Sequence, residues 1–559
     1  MSENGRTPYG SDAMLGAILR RIMPDLDSEA LYRALLAKDT RFDGRFFVGV
    51  ATTGIYCRPV CRARKPLAVN CSFYATAAEA EQAGFRPCLL CRPELAPGYA
   101  PVDSSASLAR AAARYIERNC GVQGSLTDIA RHLGCSNRHL RRVFEDAYHV
   151  RPVEYRQTCR LLLAKSLLTD TDLSVVDVAY SAGFGSLRRF NEVFRHRYRL
   201  TPTALRSQAR LSRTDGDAVQ LSLGYRPPYR WDLMLKFLAR RAIPGVEKAE
   251  EDRYARTIRL QSSGRDLTGW VTVDNDAEHN RLTVTVSASL LPALPVVLDG
   301  IKNLFDLHCE PDTVARALTS MDESALGPFI PGMRVPGCFD AFETAVLAVL
   351  GQQVTVQAAR TLAGRLVQAL GSPMDTGIDG LTTTFPMVQE LLNLDGAIEQ
   401  HLGPLGIITA RARAIHGLAA MMGSDTIDAS YCPDPEAAVA RFMEIPGIGA
   451  WTAGYIAMRC LAWPDAFLAT DLEVRKALRT PSPGKILTLA ERWKPWRAYA
   501  VMHLWNRAEA ESVSDHTTKS KKRNEKKEAM RYLSHYESPL GAMTMASDGE
   551  HLTGLWFDG

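Results

Sequence analysis

Thr52 to Cys91 reads TTGIYCRPVCRARKPLAVNCSFYATAAEAEQAGFRPCLLC and carries Cys57, Cys61, Cys88 and Cys91 as two close pairs. Three residues separate the first pair and two the second, which brings four thiolates within reach of one tetrahedral ion, the donor set of structural zinc. A disulfide framework or buried free thiols would be the other uses of such cysteines. A chain of 559 residues whose polar start, MSENGRTPYGSDA, is no signal peptide is expected in the cytosol, where thiols stay reduced. The expectation is therefore one zinc ion held by Cys57, Cys61, Cys88 and Cys91. A metal-bound cysteine stays thiolate at neutral pH and remains nucleophilic while its geometry is held by the other ligands. Cys71 lies between the pairs and is expected to be a small core residue, not a fifth ligand.

The segments TTGIYCRPVCRAR and GFRPCLLC closely resemble the N-terminal domain of the bacterial adaptive-response Ada family. The resemblance implies that Cys57 is both zinc ligand and acceptor of a methyl group from DNA methylphosphotriesters. A methylated phosphate has lost its negative charge, so an anionic sulfur can approach its methyl carbon. Capture of a methyl cation then makes the four-thiolate centre less negative by one charge, which turns repair into an electrostatic switch for DNA affinity. Arg58, Arg62, Arg64 and Lys65 lie beside the cluster, either to hold the DNA backbone or as an ordinary solvated basic face.

The length predicts about three to five domains, and 46% hydrophobic residues suffice for several packed cores. The net charge is only +5, but residues 104–213 hold 19 Lys and Arg against 9 Asp and Glu. A basic segment of that size points to a polyanion, which the family resemblance implies is double-stranded DNA. No apolar run reaches the length of a membrane span, so no membrane partner is expected and the protein is placed in the bacterial cytoplasm, on the nucleoid. The remaining cysteines lack ligand spacing and are expected as reduced core thiols.

Residues 12–38 alternate apolar and polar groups at helical spacing and lead into RFDGRFFVGVATTG, which is strand-like. RPELAPGYAPVDSS is rich in Pro and Ser and is expected to be a linker. From Leu108 to Arg206 the pattern is all helical. SLTDIARHLGCSNRHLRRVFEDAYHVRPVEY reads as helix, turn at Gly134, then a second helix capped by Ser136, and LSVVDVAYSAGFGSLRRFNEVFRHRYRLTPTALR repeats the layout. The two copies together resemble the AraC family of transcription factors. That resemblance implies recognition helices near Asn137 to Phe144 and Ser186 to Phe194, with Asn137, Arg138, His139, Arg141 and Arg142, then Ser186, Arg188, Arg189 and Asn191, facing DNA. Arg can read guanine or simply grip phosphate. Val143, Phe144, Phe190 and Phe194 are expected in the core. RNA polymerase is the expected protein partner.

After a polar gap, SRTDGDAVQ, the segment LGYRPPYRWDLMLKFLARRA reads as a helix and ARTIRLQ, GWVTVDND and RLTVTVSA as strands, so residues 218–305 are α+β. Residues 306–510 are mostly helical and contain FMEIPGIGAWTAGYIAMRCLAWPDAFLATDLEVRKAL. Helix, Pro446-Gly447-Ile448-Gly449, helix is a helix-hairpin-helix, in which both glycines would let main-chain N–H groups face a phosphate. Both parts resemble bacterial 3-methyladenine DNA glycosylase II of the AlkA type, through PGIG and the FLATD segment that ends in Asp471. The resemblance implies that Asp471 is catalytic; Asp465 is the alternative acid and is expected at the surface. It further implies a base pocket of Trp451, Tyr455, Trp505 and Phe237, DNA contacts by Gly447, Gly449, Gln352 and Gln353, and a monovalent cation at the hairpin. Because Trp451 stands where bifunctional relatives carry a Schiff-base lysine, the enzyme is expected to be monofunctional. Two departures stand out: Gln353 replaces the apolar wedge of the family, and Asn506 follows Trp505 where an aromatic is the rule.

SVSDHTTKSKKRNEKKE is a charged linker, and MRYLSHYESPLGAMTMASDGEHLTGLWFDG looks like the opening hairpin of O6-alkylguanine-DNA alkyltransferases without their Pro-Cys-His-Arg motif. The reading is a multidomain, mainly α protein with α+β parts: a zinc-bound α+β module (1–98), a duplicated helix-turn-helix (104–213), a small α+β sheet unit (218–305), an all-α helix-hairpin-helix glycosylase unit (306–512) and a linker with a truncated tail (513–559). The alternatives are a transcription factor whose glycosylase-like half is inactive, and a zinc-stabilised repair enzyme that regulates nothing.

Overall fold

The computed structural model describes residues 28–96, 107–121, 125–208 and 218–508, with breaks at 251, 263, 320, 322–328, 424–431, 433 and 481, and the segments 532–538, 541–547 and 551–557. In the first unit β1 (Phe47–Val50) pairs antiparallel with β2 (Ile55–Cys57) and with β3 (Cys71–Tyr74), and β4 (Arg86–Pro87) adds to β2 in parallel. That parallel pair explains why cysteines far apart in sequence meet: Cys57 ends β2 and Cys88 follows β4, so both pairs emerge at the same end of the sheet. The Ser28–Ala37 helix closes the back with Leu31 and Leu35 against Phe46, Val48 and Phe73. The part of the expected helix before Ser28 lies outside the described residues.

Seven helices follow, from Ser107–Arg118 to Pro202–Gln208. Ser136 caps the Asn137–Tyr148 helix and Ser186 caps the Leu187–Tyr198 helix, each side chain accepting the backbone N–H three residues on. The turn glycine of the second copy, Gly183, has φ +81, and a Cβ there would meet the Cys120 carbonyl at 2.5 Å, so no other residue fits. Phe144, Phe190 and Phe194 are fully buried, as their spacing predicts; Val143 is only half-buried.

The expected linker is not free at its start. Pro93–Leu95 forms a turn against the Pro152–Asp170 helix, where Lys165, 1% exposed, binds Glu94 at 2.5 Å and Arg92 bridges Glu94 and Asp170. Composition suggests looseness, but Glu94 and Arg92 each find an opposite charge on the neighbouring unit, which makes burial tolerable. Residues 97–105 of that run lie outside the described residues. Replacing Glu94 by Ala would strand Lys165 without a partner and is expected to cost about 3 kcal/mol or more, read as a lower midpoint for loss of helix on heating. Nearby, buried Glu81 accepts the Tyr56 and Thr158 hydroxyls at 3.1 Å each, tying the cysteine unit to the same helix.

The third unit is a five-stranded antiparallel sheet of order β5-β9-β8-β7-β6, with β5 Ala218–Gly224, β6 Glu247–Glu250, β7 Arg253–Ser262, β8 Arg265–Asp276 and β9 Arg281–Ser287, flanked by the Trp231–Arg241 helix. The polar gap therefore ends earlier than expected: Ala218 to Gln220 open β5, whose Val219, Leu221 and Leu223 alternate inward. One core runs without interruption from the second helix-turn-helix through this sheet into the helices that follow. The cysteine unit also touches it, since Arg226, 2% exposed, donates Nε to the Asp43 carbonyl at 3.1 Å and Arg45 pairs with Glu310. The tail forms a three-stranded antiparallel sheet of β10 (Tyr532–Ser538), β11 (Gly541–Ser547) and β12 (Leu552–Phe557), one strand more than a hairpin. No helix among the described residues is long and apolar enough to cross a membrane.

Candidate functional site

The four expected sulfurs converge. The Sγ atoms of Cys57, Cys61, Cys88 and Cys91 all lie within 4.8 Å of one another, with Cys61 and Cys88 at 4.0 Å. Four sulfurs placed about 2.3 Å from a tetrahedral zinc would be about 3.8 Å apart, so the donor set fits the ion. Its chemistry fits too. Mutual hydrogen bonding pushes the Cys57 thiol up, first through Cys61, and pulls Cys61 down to about 7, first through Cys57; a cation among them lets all four be thiolates together. Cys61 and Cys88 are buried, while Cys57 and Cys91 reach the surface. Cys71 stays out of the cluster and donates its thiol to the Leu67 carbonyl.

Arg58, expected either to hold the DNA backbone or to lie on a solvated basic face, is turned inward. Its guanidinium is paired with Asp43 and donates to the Cys91 carbonyl at 3.2 Å, while its backbone N–H donates to Cys91 Sγ at 3.3 Å. Burial opposes its charge, and the Asp43 carboxylate more than offsets that, keeping the guanidinium above its ordinary range. Lys65 is likewise spent on the Leu35 carbonyl, so of the four basic residues beside the cluster Arg62 and Arg64 remain exposed. Sequence proximity to a cysteine does not tell which way a side chain points.

On the helix-turn-helix units, Asn137, Arg138, His139, Arg141, Arg142, Arg188 and Arg189 are exposed. Among the described residues Arg138, Arg141 and Arg188 have no partner, whereas Asn137 donates to Thr127 and Arg189 pairs with Glu192. Ser186 is exposed and caps its helix, accepting the Arg189 N–H at 3.2 Å, and Asn191 is half-buried.

The second candidate site lies among the helices of the 306–512 unit. Gly447 has φ +93, the left-handed conformation that glycine adopts freely, and its carbonyl accepts Gln352 Nε2 at 2.8 Å. Gly449 is in ordinary extended backbone at the start of the Ala450–Arg459 helix, where a Cβ would point into open space. Only one of the two glycines is therefore required by backbone conformation. Gln352 also donates to Thr452 at 3.0 Å, which commits its amide to the hairpin; Gln353 is the exposed residue, at φ +53.

Asp471, 8% exposed, caps the Leu472–Ala477 helix by accepting the Val474 N–H at 2.9 Å. The indole of Trp451 donates to its Oδ2 at 2.8 Å and that of Trp505 to its Oδ1 at 2.9 Å. All four expected aromatics gather here: Trp451 stacks on Tyr455 with centroids 5.3 Å apart, and Phe237 and Trp505 are nearly parallel at 6.3 Å. Asn506 lines a small cavity with Phe237 and Trp505. Asp465, expected at the surface, instead forms a bidentate pair with Arg497 at 2.7 Å and 2.7 Å, so its carboxylate is spent.

Two arginines behind the pocket escape a reading of the sequence. Arg459 donates to Tyr455 Oη at 2.6 Å and to the Gly337 carbonyl, and Arg241 lies over the Phe237 ring with Cζ 3.8 Å from its centroid. A lone Arg in the apolar helix AWTAGYIAMR is a signal for Arg459; nothing in the sequence distinguishes Arg241 from Arg240 beside it.

Comparison with known proteins gives three family matches along the chain. Residues 30–94 match the family described as the metal binding domain of Ada, 129–208 a helix-turn-helix domain and 220–340 the AlkA N-terminal domain. The chain is 36% identical over 492 residues to a "Probable bifunctional transcriptional activator/DNA repair enzyme AlkA" of Mycobacterium tuberculosis, covering 86% of this chain and 97% of the relative. It is 38% identical over 284 residues to "DNA-3-methyladenine glycosylase 2" of Escherichia coli, covering 51% of this chain and 96% of the relative. It is 36% identical over 159 residues to "Bifunctional transcriptional activator/DNA repair enzyme Ada" of the same organism, which covers 28% of this chain and 43% of that protein.

Proposed function

The chain belongs to the family of bifunctional transcriptional activator/DNA repair proteins that join an Ada-type metal-binding and helix-turn-helix half to an AlkA-type half, and from that premise we propose three linked activities. It excises alkylated bases such as 3-methyladenine by N-glycosidic hydrolysis, accepts a methyl group from DNA methylphosphotriesters on Cys57, and activates transcription from a DNA operator. The division of labour follows the chain, with residues 1–98 for methyl transfer, 104–213 for the operator and 218–512 for excision. RNA polymerase is the expected protein partner. A monovalent cation is also expected at the hairpin.

The observation that carries the excision reading is the buried Asp471 carboxylate set beside two pairs of stacked aromatics. Cleavage of the bond from C1′ to the base nitrogen leaves positive charge on the sugar, and a carboxylate in a water-poor pocket stabilises that charge and orients the water that adds to C1′. A base alkylated at N3 or N7 is already cationic and leaves as a neutral molecule without a strong acid. Flipped from the duplex, it stacks on the electron-rich faces of Trp451, Tyr455 and Trp505. The test is release of free base from alkylated duplex DNA by the purified chain. Because Trp451 has no amine to form an imine, the product is expected to be an intact strand with an abasic site, and borohydride is expected to trap no covalent complex; a cross-linked band would contradict this.

For methyl transfer, zinc bound to the four cysteines would hold the sulfurs as thiolates. Cys91 accepts the Arg58 N–H, and backbone N–H groups of Ala63 and Cys91 lie against Cys61 and Cys88. Among the described residues no backbone N–H donates to Cys57 Sγ, which leaves it the less hydrogen-bonded and more nucleophilic of the two sulfurs that reach the surface. Its attack forms a bond from sulfur to methyl carbon as the bond from carbon to oxygen breaks, and the phosphodiester anion leaves.

A further inference from the structure

We propose that Trp451 and Trp505 are positioning residues for Asp471, acting through their indole N–H groups as well as through their ring faces. The proposal rests on the excision reading above but turns on a different observation. The two carboxylate oxygens are divided between the two indoles, Oδ2 to Trp451 at 2.8 Å and Oδ1 to Trp505 at 2.9 Å, and the Val474 N–H supplies a third donor. The donors come from three separate places: the first turn after the hairpin, the residue 497–508 helix and the helix that Asp471 caps.

This arrangement has two physical consequences. Three N–H groups compensate a buried carboxylate for lost water, so its charge is kept where an unpaired one would be costly. The same bonds fix the rotation of each indole about its own axis, because the ring edge is anchored at Asp471 while its face is stacked, Trp451 on Tyr455 and Trp505 beside Phe237. The base-binding faces and the charge that acts on the sugar are thereby held in one rigid frame, and displacement of either would displace the other. Phenylalanine at either position would keep an aromatic face and lose the anchor.

The test uses the full chain with Trp451→Phe, Trp505→Phe and the double variant. Each single variant is expected to lose about tenfold in the single-turnover rate of base release, the effect of removing one hydrogen bond to a charged group. Affinity for the alkylated duplex is expected to stay within about twofold, since the stacking face is retained. A fall in affinity at unchanged rate would mean that the rings only stack, and wild-type rates in both variants would overturn the proposal outright. A second measurement needs neither substrate nor a stable Trp variant. Of the 8 tryptophans in the chain, two indole N–H resonances are expected to move in Asp471→Asn, where an amide can no longer accept from both rings. If no indole resonance moves, the hydrogen bonds are not made in solution and the proposal fails, whatever the chain's activity on DNA.

Discussion

Asp471→Asn is expected to lower the rate of base release by about a thousandfold or more, the scale on which removal of a preorganised charge acts, while affinity for duplex DNA stays nearly unchanged. Asparagine fills the same volume and can still accept the Val474 N–H that caps the Leu472–Ala477 helix. It cannot serve both indoles, because its NH2 group would meet an N–H of Trp451 or Trp505 head on. The loss therefore combines absent charge with a local mismatch, and circular dichroism should report an intact fold. Excision by the mutant at the wild-type rate would remove Asp471 from the chemistry. Asp465 offers no rescue, since both of its oxygens are engaged by Arg497.

Cys57→Ser is expected to abolish methyl transfer from phosphotriester DNA and to weaken zinc retention, whereas Cys71→Ser should do neither, because Cys71 lies outside the sulfur cluster. Mass spectrometry of the reacted protein decides the point, and a methyl adduct on any cysteine other than Cys57 would overturn the assignment. In the wild type, methylation removes one negative charge beside DNA, so operator affinity should rise most at low salt and the gain should shrink as salt increases. Arg58 cannot be the residue that profits, being paired with Asp43. Arg62 and Arg64 are exposed, and their replacement by Ala is expected to reduce the slope of log affinity against log salt by about one for each phosphate that is no longer neutralised. An affinity gain independent of salt would favour a change of shape over a change of charge.

The metal quartet and the Ser136 helix cap are legible in the sequence because their signals are local: two short cysteine spacings, and a serine three residues before the N–H it accepts. The gathering of Trp451, Tyr455, Trp505 and Phe237 around Asp471 is reached only through resemblance to a family, since no spacing in the sequence joins Phe237 to Trp505. Where Arg58, Ser186, Gln352 and Asp465 spend polar atoms is shown only by the fold: each looks available in the sequence, and each has a partner in the structure.

What the sequence determined by itself is therefore the set of short-range choices: which segments are helix or strand, where helices start, which four sulfurs can share an ion, and that the second unit is basic. Only the tertiary structure decided which polar groups remain free, that the run after Cys91 begins as a buried ion-pair joint on Lys165, that one core continues from the second helix-turn-helix into the sheet, and that Asp471 is held between two indoles. The physical reason is that backbone conformation and capping depend on a few neighbouring residues, whereas the partner of a buried charge or donor is supplied by whatever surface the fold brings against it, and burial makes that partner obligatory.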